Sequence, residues 1–222
     1  MKKFDLELEA LQKTLVKMGE RAEQIVELAT QALTTNSGDT EKEVYKAEDK
    51  LDQMQIQIDQ EVVRLLTVYT PVATDLRYVL TVSHVTSSLE RIGDQAVNIC
   101  EAIRLMQDRS NSPPQPRVLQ MAELIKEMLN KAMSAYISKD ASQVEHTIGQ
   151  DDLVDSLNDQ VVRELLSDEV VKEALIGPRD IAGALSQILI ARAMERIADQ
   201  ACNICEEVYY LVRGDDIRHP TG

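Results

Sequence analysis

A twelve-residue segment occurs twice in this chain. Glu90-Arg91-Ile92-Gly93-Asp94-Gln95-Ala96-Val97-Asn98-Ile99-Cys100-Glu101 returns as Glu195-Arg196-Ile197-Ala198-Asp199-Gln200-Ala201-Cys202-Asn203-Ile204-Cys205-Glu206, identical at ten of twelve positions. The windows just upstream, 73–84 and 178–189, agree at only two of twelve. One unit has been duplicated, and this segment has been held while its surroundings drifted. A chain of 222 residues is long enough for one sizeable domain or two small ones sharing an interface.

Each copy reads as three helices. Residues 5–35 place Leu8, Leu11, Leu15, Met18, Ala22, Ile25, Leu28 and Ala32 at helical spacing. Asn36-Ser37-Gly38-Asp39 is a stop followed by a new start. A second helix over about 40–69 carries Val44, Leu51, Ile58, Val62, Leu65 and Leu66, and Thr70-Pro71 ends it. Thr74 or Asp75 is placed to cap a third helix reaching about 108. Three of the six prolines then fall within 110–116, which reads as a linker. The pattern restarts with helices over 118–138, 141–168 and 180–213. Lys139-Asp140 and Gly177-Pro178 are the breaks, Asp180 stands where Asp75 stood, and Gly214 follows the last helix. With 3% aromatic residues, no Trp and one Phe, the core must be aliphatic, which suits helix-on-helix packing. The expected fold is all-α: two tandem antiparallel three-helix bundles, residues 1–109 and 118–214, joined by a Pro-rich linker 110–117 and followed by a loose tail 215–222.

Charge excludes several function classes. The net charge is −14, and no Lys/Arg cluster could neutralise a nucleic-acid backbone. Anionic lipid repels such a surface, so cations or basic protein surfaces are the natural partners. Met1-Lys2-Lys3-Phe4-Asp5 lacks the apolar run of a signal peptide. No stretch reaches the roughly 20 apolar residues of a membrane span. Cys100, Cys202 and Cys205 make no disulfide framework. The chain reads as soluble and cytoplasmic.

On a helical wheel of about 100° per residue, Glu90, Asp94, Asn98 and Glu101 fall within roughly 80° of one another, opposite Ile92, Ala96, Ile99 and Ile103. A solvated face explains one such stripe, but has little reason to recur unchanged as Glu195, Asp199, Asn203 and Glu206. The preceding helices add Glu48 with Asp52, and Asp151 with Asp155, each pair spaced i, i+4. Asp52 with Glu90, and Glu48 with Asp94, are both centred on residue 71, the turn proline. Asp155 with Glu195, and Asp151 with Asp199, are centred on residue 175, three before Pro178. In an antiparallel hairpin, residues equidistant from the turn share a level. Four carboxyl groups therefore cluster in each copy, with Asp49 and Asp152 as further donors, and Asn98, Glu101, Asn203 and Glu206 as weaker metal or outer-sphere candidates.

Packed carboxylates repel, so some must stay protonated or a cation must bind. Oxygen donors select hard metals such as Mg, Ca or Mn, and Fe where carboxylates bridge several ions. Neutralisation by Arg91, Arg196, Arg77 and Arg192 is the alternative, giving a metal-free scaffold. A carboxylate-bridged redox protein is a second, though the Glu-x-x-His pairs of di-iron oxidases are missing and His84, His146 and His219 are scattered. Cys202-x-x-Cys205 lies inside a helix, with Val97 and Cys100 at the matching places, which reads as packing. His84 matches Leu189 and reads as a buried or edge position, and Met121, Met128 and Met133 read as core filler. Gly93 and Ala198, both small, imply close helix approach. No nucleophilic triad or phosphate loop can be placed.

With these residues in hand, the chain resembles the PhoU family of phosphate-uptake regulators over nearly its whole length. The acidic pairs Glu48/Asp52, Glu90/Asp94, Asp151/Asp155 and Glu195/Asp199 carry the resemblance. So do Pro71-Val72-Ala73-Thr74-Asp75-Leu76-Arg77 and Leu89-Glu90-Arg91-Ile92-Gly93-Asp94. Gly93 becoming Ala198 and the weaker turn Pro178-Arg179-Asp180 depart from it. The resemblance implies two similar three-helix bundles and a non-enzymatic role: a negative regulator acting between the Pst phosphate transporter ATPase and the PhoR sensor kinase. It also implies acidic pairs that hold multinuclear Fe, Zn, Mn or Mg, a homodimer, and attachment to the inner membrane only through protein partners.

Overall fold

The computed structural model describes residues 3–35, 38–109, 113–167 and 181–217. Six α-helices carry them: α1 Lys3–Gln31, α2 Gly38–Tyr69, α3 Ala73–Arg109, α4 Pro116–Ser138, α5 Val144–Leu165 and α6 Ile181–Arg213. A short 3-10 turn, Ala141–Gln143, precedes α5. No strand occurs among the described residues, and no described helix is long and apolar enough to cross a membrane.

The apolar stripes become the core. Leu11, Leu15, Met18, Ala22 and Ile25 of α1 are buried, as are Val44, Leu51, Ile58 and Leu65 of α2. Ile92, Ala96, Ile99 and Ile103 line the inner face of α3, and Met121, Met128 and Met133 are buried filler on α4. Each large aliphatic side chain so buried stabilises the fold by about 1.5–3 kcal/mol before entropy is counted.

The helix ends follow local chemistry, with some shifts from expectation. Lys139 closes α4 in the left-handed region at φ 53°. Asp140 then caps the 3-10 turn by accepting from the Ser142 N–H at 2.9 Å. Gly214 adopts φ 82° after α6 and donates its N–H to the Tyr210 carbonyl at 2.9 Å, the cap that a residue without Cβ permits. Neither Thr74 nor Asp75 stands at the start of α3: that helix begins at Ala73, and Asp75 lies in its first turn. Thr70 and Ala73 both have positive φ, 46° and 49°, so the chain reverses sharply around Pro71 and the helix starts sooner. Pro116, expected in the linker, opens α4, because the first helical turn has no use for the missing N–H. The expected features at Asn36-Ser37, Ser110-Asn111-Ser112, Gly177-Pro178, Asp180 and His219, and the last part of the tail, lie outside the described residues.

The two three-helix units share one core, which draws buried residues from all six helices. Equivalent helices of the two units pair with each other. Arg77, near the start of α3, sits over the Tyr210 ring near the end of α6, 5.3 Å from its centroid, and His84 Nδ1 lies 3.0 Å from Glu207 Oε1. These pairs run in opposite directions along the chain, so α3 and α6 are antiparallel. The same holds for α1 and α4, where Lys126 meets Glu27 at 3.2 Å and the Asn130 amide donates to Glu23 at 3.4 Å. The duplication thus folds with approximate two-fold symmetry. Tyr78 and Tyr136 add a buried hydroxyl–hydroxyl contact of 3.1 Å across the two units.

Candidate functional site

The hairpin α2–α3 brings Glu48, Asp49, Asp52, Glu90 and Asp94 within electrostatic reach of one another. Burial pushes the Glu48 carboxyl up, and the charges of Asp52, Asp94, Asp49 and Glu90 push it further. Glu90 is raised by burial, then by Asp94 and Asp52. Asp94 is raised by burial, then by Asp52. Glu48, Asp52 and Glu90 are half-buried, while Asp49 and Asp94 are exposed.

The second unit repeats this arrangement more strongly. Burial lifts the Asp151 carboxyl to about 6, helped by Asp199, Asp155, Asp152 and Glu195. Glu195 and Asp199 are raised by burial and by their carboxylate neighbours. One oxygen of Asp151, Oδ1, is buried with no hydrogen-bond partner. An orphaned buried acceptor is costly unless something satisfies it.

Arginine does not cancel these charges. Arg91 pulls Glu90 down, and Arg196 and Arg192 pull Glu195 down, but burial and the neighbouring carboxylates outweigh them. None of the ion pairs among the described residues reaches a cluster carboxylate. Arg77 is engaged elsewhere: it stacks on Tyr210 and packs against Gly214.

Close helix approach makes the first cluster. A Cβ on Gly93 would lie 2.6 Å from Leu51 Cδ2 and 3.7 Å from Glu48 Cγ. The small residue therefore lets α3 settle onto α2 at the level of the acids. Ala198 and Val154 occupy the matching positions of the second unit, both fully buried.

Other candidates fall outside the clusters. Glu101 lies toward the start of α2, where it and Glu41 raise the Tyr45 hydroxyl after burial has done so. The Asn98 amide donates to Gln95 Oε1 at 3.2 Å on its own helix. Asn203 and Glu206 line a cleft of about 230 Å³ between α3 and α6, with His84, Ser87, Ser88 and Arg91. Cys100 and Cys205 are buried, and burial pushes both thiols up to about 12. Cys202 is also buried and raised, so none is poised as a thiolate. The contact of exposed His84 with buried Glu207 escaped the sequence reading. Its signal was a glutamate on the buried face of α6, where the first unit has Ala102.

Among the described residues, no three His, Cys, Asp or Glu side chains converge with metal-ligand spacing. The donor chemistry nevertheless fits a hard cation. Each cluster is oxygen-only, three carboxyls in each (Glu48, Glu90 and Asp94; Asp151, Glu195 and Asp199) are pushed up by burial and by like charge, and Asp151 offers an unsatisfied buried oxygen.

Comparison with known proteins gives the same architecture. The PhoU domain model matches twice, over residues 15–103 and 118–208. The phosphate-specific transport system accessory protein PhoU homolog of Aquifex aeolicus (strain VF5) is 34% identical over 213 residues, covering 96% of this chain and 94% of that protein. The accessory protein PhoU of Escherichia coli (strain K12) is 31% identical over 222 residues, covering 99% and 89%. The crystal structure of PhoU from Pseudomonas aeruginosa superposes with a TM-score of 0.86 at 32% identity, covering 96% of this chain and all of that one. The phosphate transport system regulatory protein PhoU from Streptococcus pneumoniae gives 0.87 at 25% identity, covering 98% of this chain and all of that one. Two matched repeats, carrying two equivalent carboxylate clusters on paired helices, place this chain in the PhoU family.

Proposed function

We propose that this chain is a non-catalytic, cytoplasmic regulator of phosphate uptake, acting between the Pst transporter ATPase and the PhoR sensor kinase to damp starvation signalling. The observation that carries the reading is the pair of equivalent carboxylate clusters, one per repeat, each built on two helices and left without an arginine ion pair. The names of the relatives supply the phosphate-transport context. Each cluster would hold metal ions through Glu48, Asp49, Asp52, Glu90 and Asp94, or through Asp151, Asp152, Asp155, Glu195 and Asp199. A bound cation would draw together carboxylates that otherwise repel, and fix the angle between the two helices of each hairpin. The chain would act as a homodimer and approach the inner membrane only through its partners.

Deleting the gene in rich phosphate tests the regulatory reading. Derepressed phosphate-starvation genes, restored to repression by the intact gene, are expected. Unchanged expression would sink it.

A further inference from the structure

Seven large apolar side chains on α3 and α6 lie in solvent, and five of them form two stripes near the helix starts. Ile181 is 65% exposed, Leu185 49% and Leu189 43% on α6, and Leu76 and Leu80 are each 36% exposed on α3. They are equivalent in the duplication: Leu76 corresponds to Ile181 and Leu80 to Leu185. The surrounding windows kept only two identities in twelve, yet both kept exposed apolar residues at these positions. A core-packing demand does not account for that, since neither pair is in the core.

Each stripe runs into the same sequence of charges. On α6, Ile181, Leu185 and Leu189 lead to Arg192 and Arg196, and then to Asp199. On α3, Leu76 and Leu80 lead through His84 to Arg91, and then to Asp94. At about 100° per residue these positions stay within roughly 80° of one another, so each set forms one lengthwise track. Arg91, Arg192 and Arg196 are exposed and take part in none of the ion pairs among the described residues. Exposed apolar surface bordered by unpaired arginine is the composition of a recognition face.

We propose that each track docks an amphipathic helix of a partner protein. Its apolar residues would sit on successive turns and be followed first by acidic residues and then by a basic one. The apolar residues seat on the leucine stripe, the carboxylates pair with Arg91 or with Arg192 and Arg196, and in the metal-free protein the basic residue meets Asp94 or Asp199. This is recognition of one helix face by another, with anchors at i and i+4. The order of charge fixes the register, because an acidic residue one step too far meets the carboxylate cluster. A second copy of this chain is the less suited occupant of this face, since its own tracks carry arginine where the occupant needs acidic residues.

The test uses the full chain, stripped of metal with chelator, and a fluorescent synthetic helix with leucines at i, i+4 and i+8, glutamates at i+11 and i+15, and lysine at i+18. Its twin has glutamate and lysine exchanged. Anisotropy titrations should show the first peptide binding at least about tenfold more tightly. Leu80→Glu with Leu185→Glu should weaken it about tenfold, while Lys17→Glu, on the exposed side of α1, leaves it unchanged. Arg91→Glu with Arg192→Glu and Arg196→Glu should reverse the preference toward the twin. Melting curves confirm that these exposed-site variants fold. If a variant fails to fold, the two peptides on the unaltered chain still decide. Equal affinity for both peptides would overturn the proposal. So would sedimentation showing that Leu80→Glu with Leu185→Glu splits a dimer, which would make a second copy the occupant.

Discussion

Leu51 fills the space that a side chain on Gly93 would need, with its Cδ2 2.6 Å from where a Cβ would stand. The second repeat solves the same packing differently. Leu51 becomes Val154, one carbon smaller, and Gly93 becomes Ala198, one carbon larger, so the summed volume is kept. Gly93→Ala gains about 1 kcal/mol of helix propensity but overpacks a fully buried neighbour, at about 1–3 kcal/mol. A net loss of about 1 kcal/mol is expected. Adding Leu51→Val should recover most of it, and a double-mutant cycle by urea denaturation measures the coupling. Simple additivity of the two changes would contradict this account.

Metal binding should appear as stabilisation. Protein purified without chelator should carry metal by elemental analysis, and added Mn, Fe or Mg should raise the melting temperature of stripped protein. A ligand that binds only the folded state at about 100 times its Kd contributes about 2.7 kcal/mol. The double variant Asp94→Asn, Asp199→Asn should lose most of the response. A metal-free preparation with no thermal response would defeat the metal reading.

The raised Asp151 carboxyl makes a pH prediction for stripped protein. Its proton leaves the unfolded chain near 3.8 and the folded chain near 6. The folded state therefore binds more protons in that window, and this contribution is fully present below pH 3.8 and lost as pH rises through 6. Carboxyls lowered by cationic or hydrogen-bonding neighbours, such as Glu7 and Asp140, act in the opposite direction, so the comparison must be differential. Asp151→Asn should gain thermal stability relative to the parent between pH 4 and pH 7, by a few degrees (about 2–4 °C per kcal/mol at this size). A pH-independent difference would show that Asp151 is not held in this way.

The shared core predicts that the repeats do not fold alone. Residues 1–112 expressed separately would expose the face of α3 that packs on α6, together with Gly19, which sits against Met133 of α4. Neither half should show a cooperative melt, and mixing the halves should restore one. Independent two-state unfolding of either half would refute this.

The hairpin midpoints made the carboxylate clusters legible. Helical period and a proline turn fix which residues share a level, and Glu48, Asp52, Glu90 and Asp94 come within electrostatic reach of one another as that arithmetic requires. The same wheel put Glu101 beside Glu90, because it ignores distance along the helix. Glu101 is three turns further on, and it comes to lie toward Tyr45. The pairing of α3 with α6 was not legible, since a buried face looks alike whichever helix covers it. The start of α3 was misplaced because Ala73 in the left-handed region leaves no trace in composition.

The connection between Tyr69 and Ala73 has a geometric consequence for how this chain can vary in length. Packed helices stand about 8–10 Å apart, and each residue of chain reaches at most about 3.6 Å. Residues 70–72 are close to the shortest bridge that can make the crossing. A deletion there could be absorbed only by unwinding α2 or α3, which would slide the acidic levels past each other by about 1.5 Å per residue. The first connection therefore behaves as a spacer of fixed count: its length, as much as its composition, holds Glu48 and Asp52 level with Asp94 and Glu90.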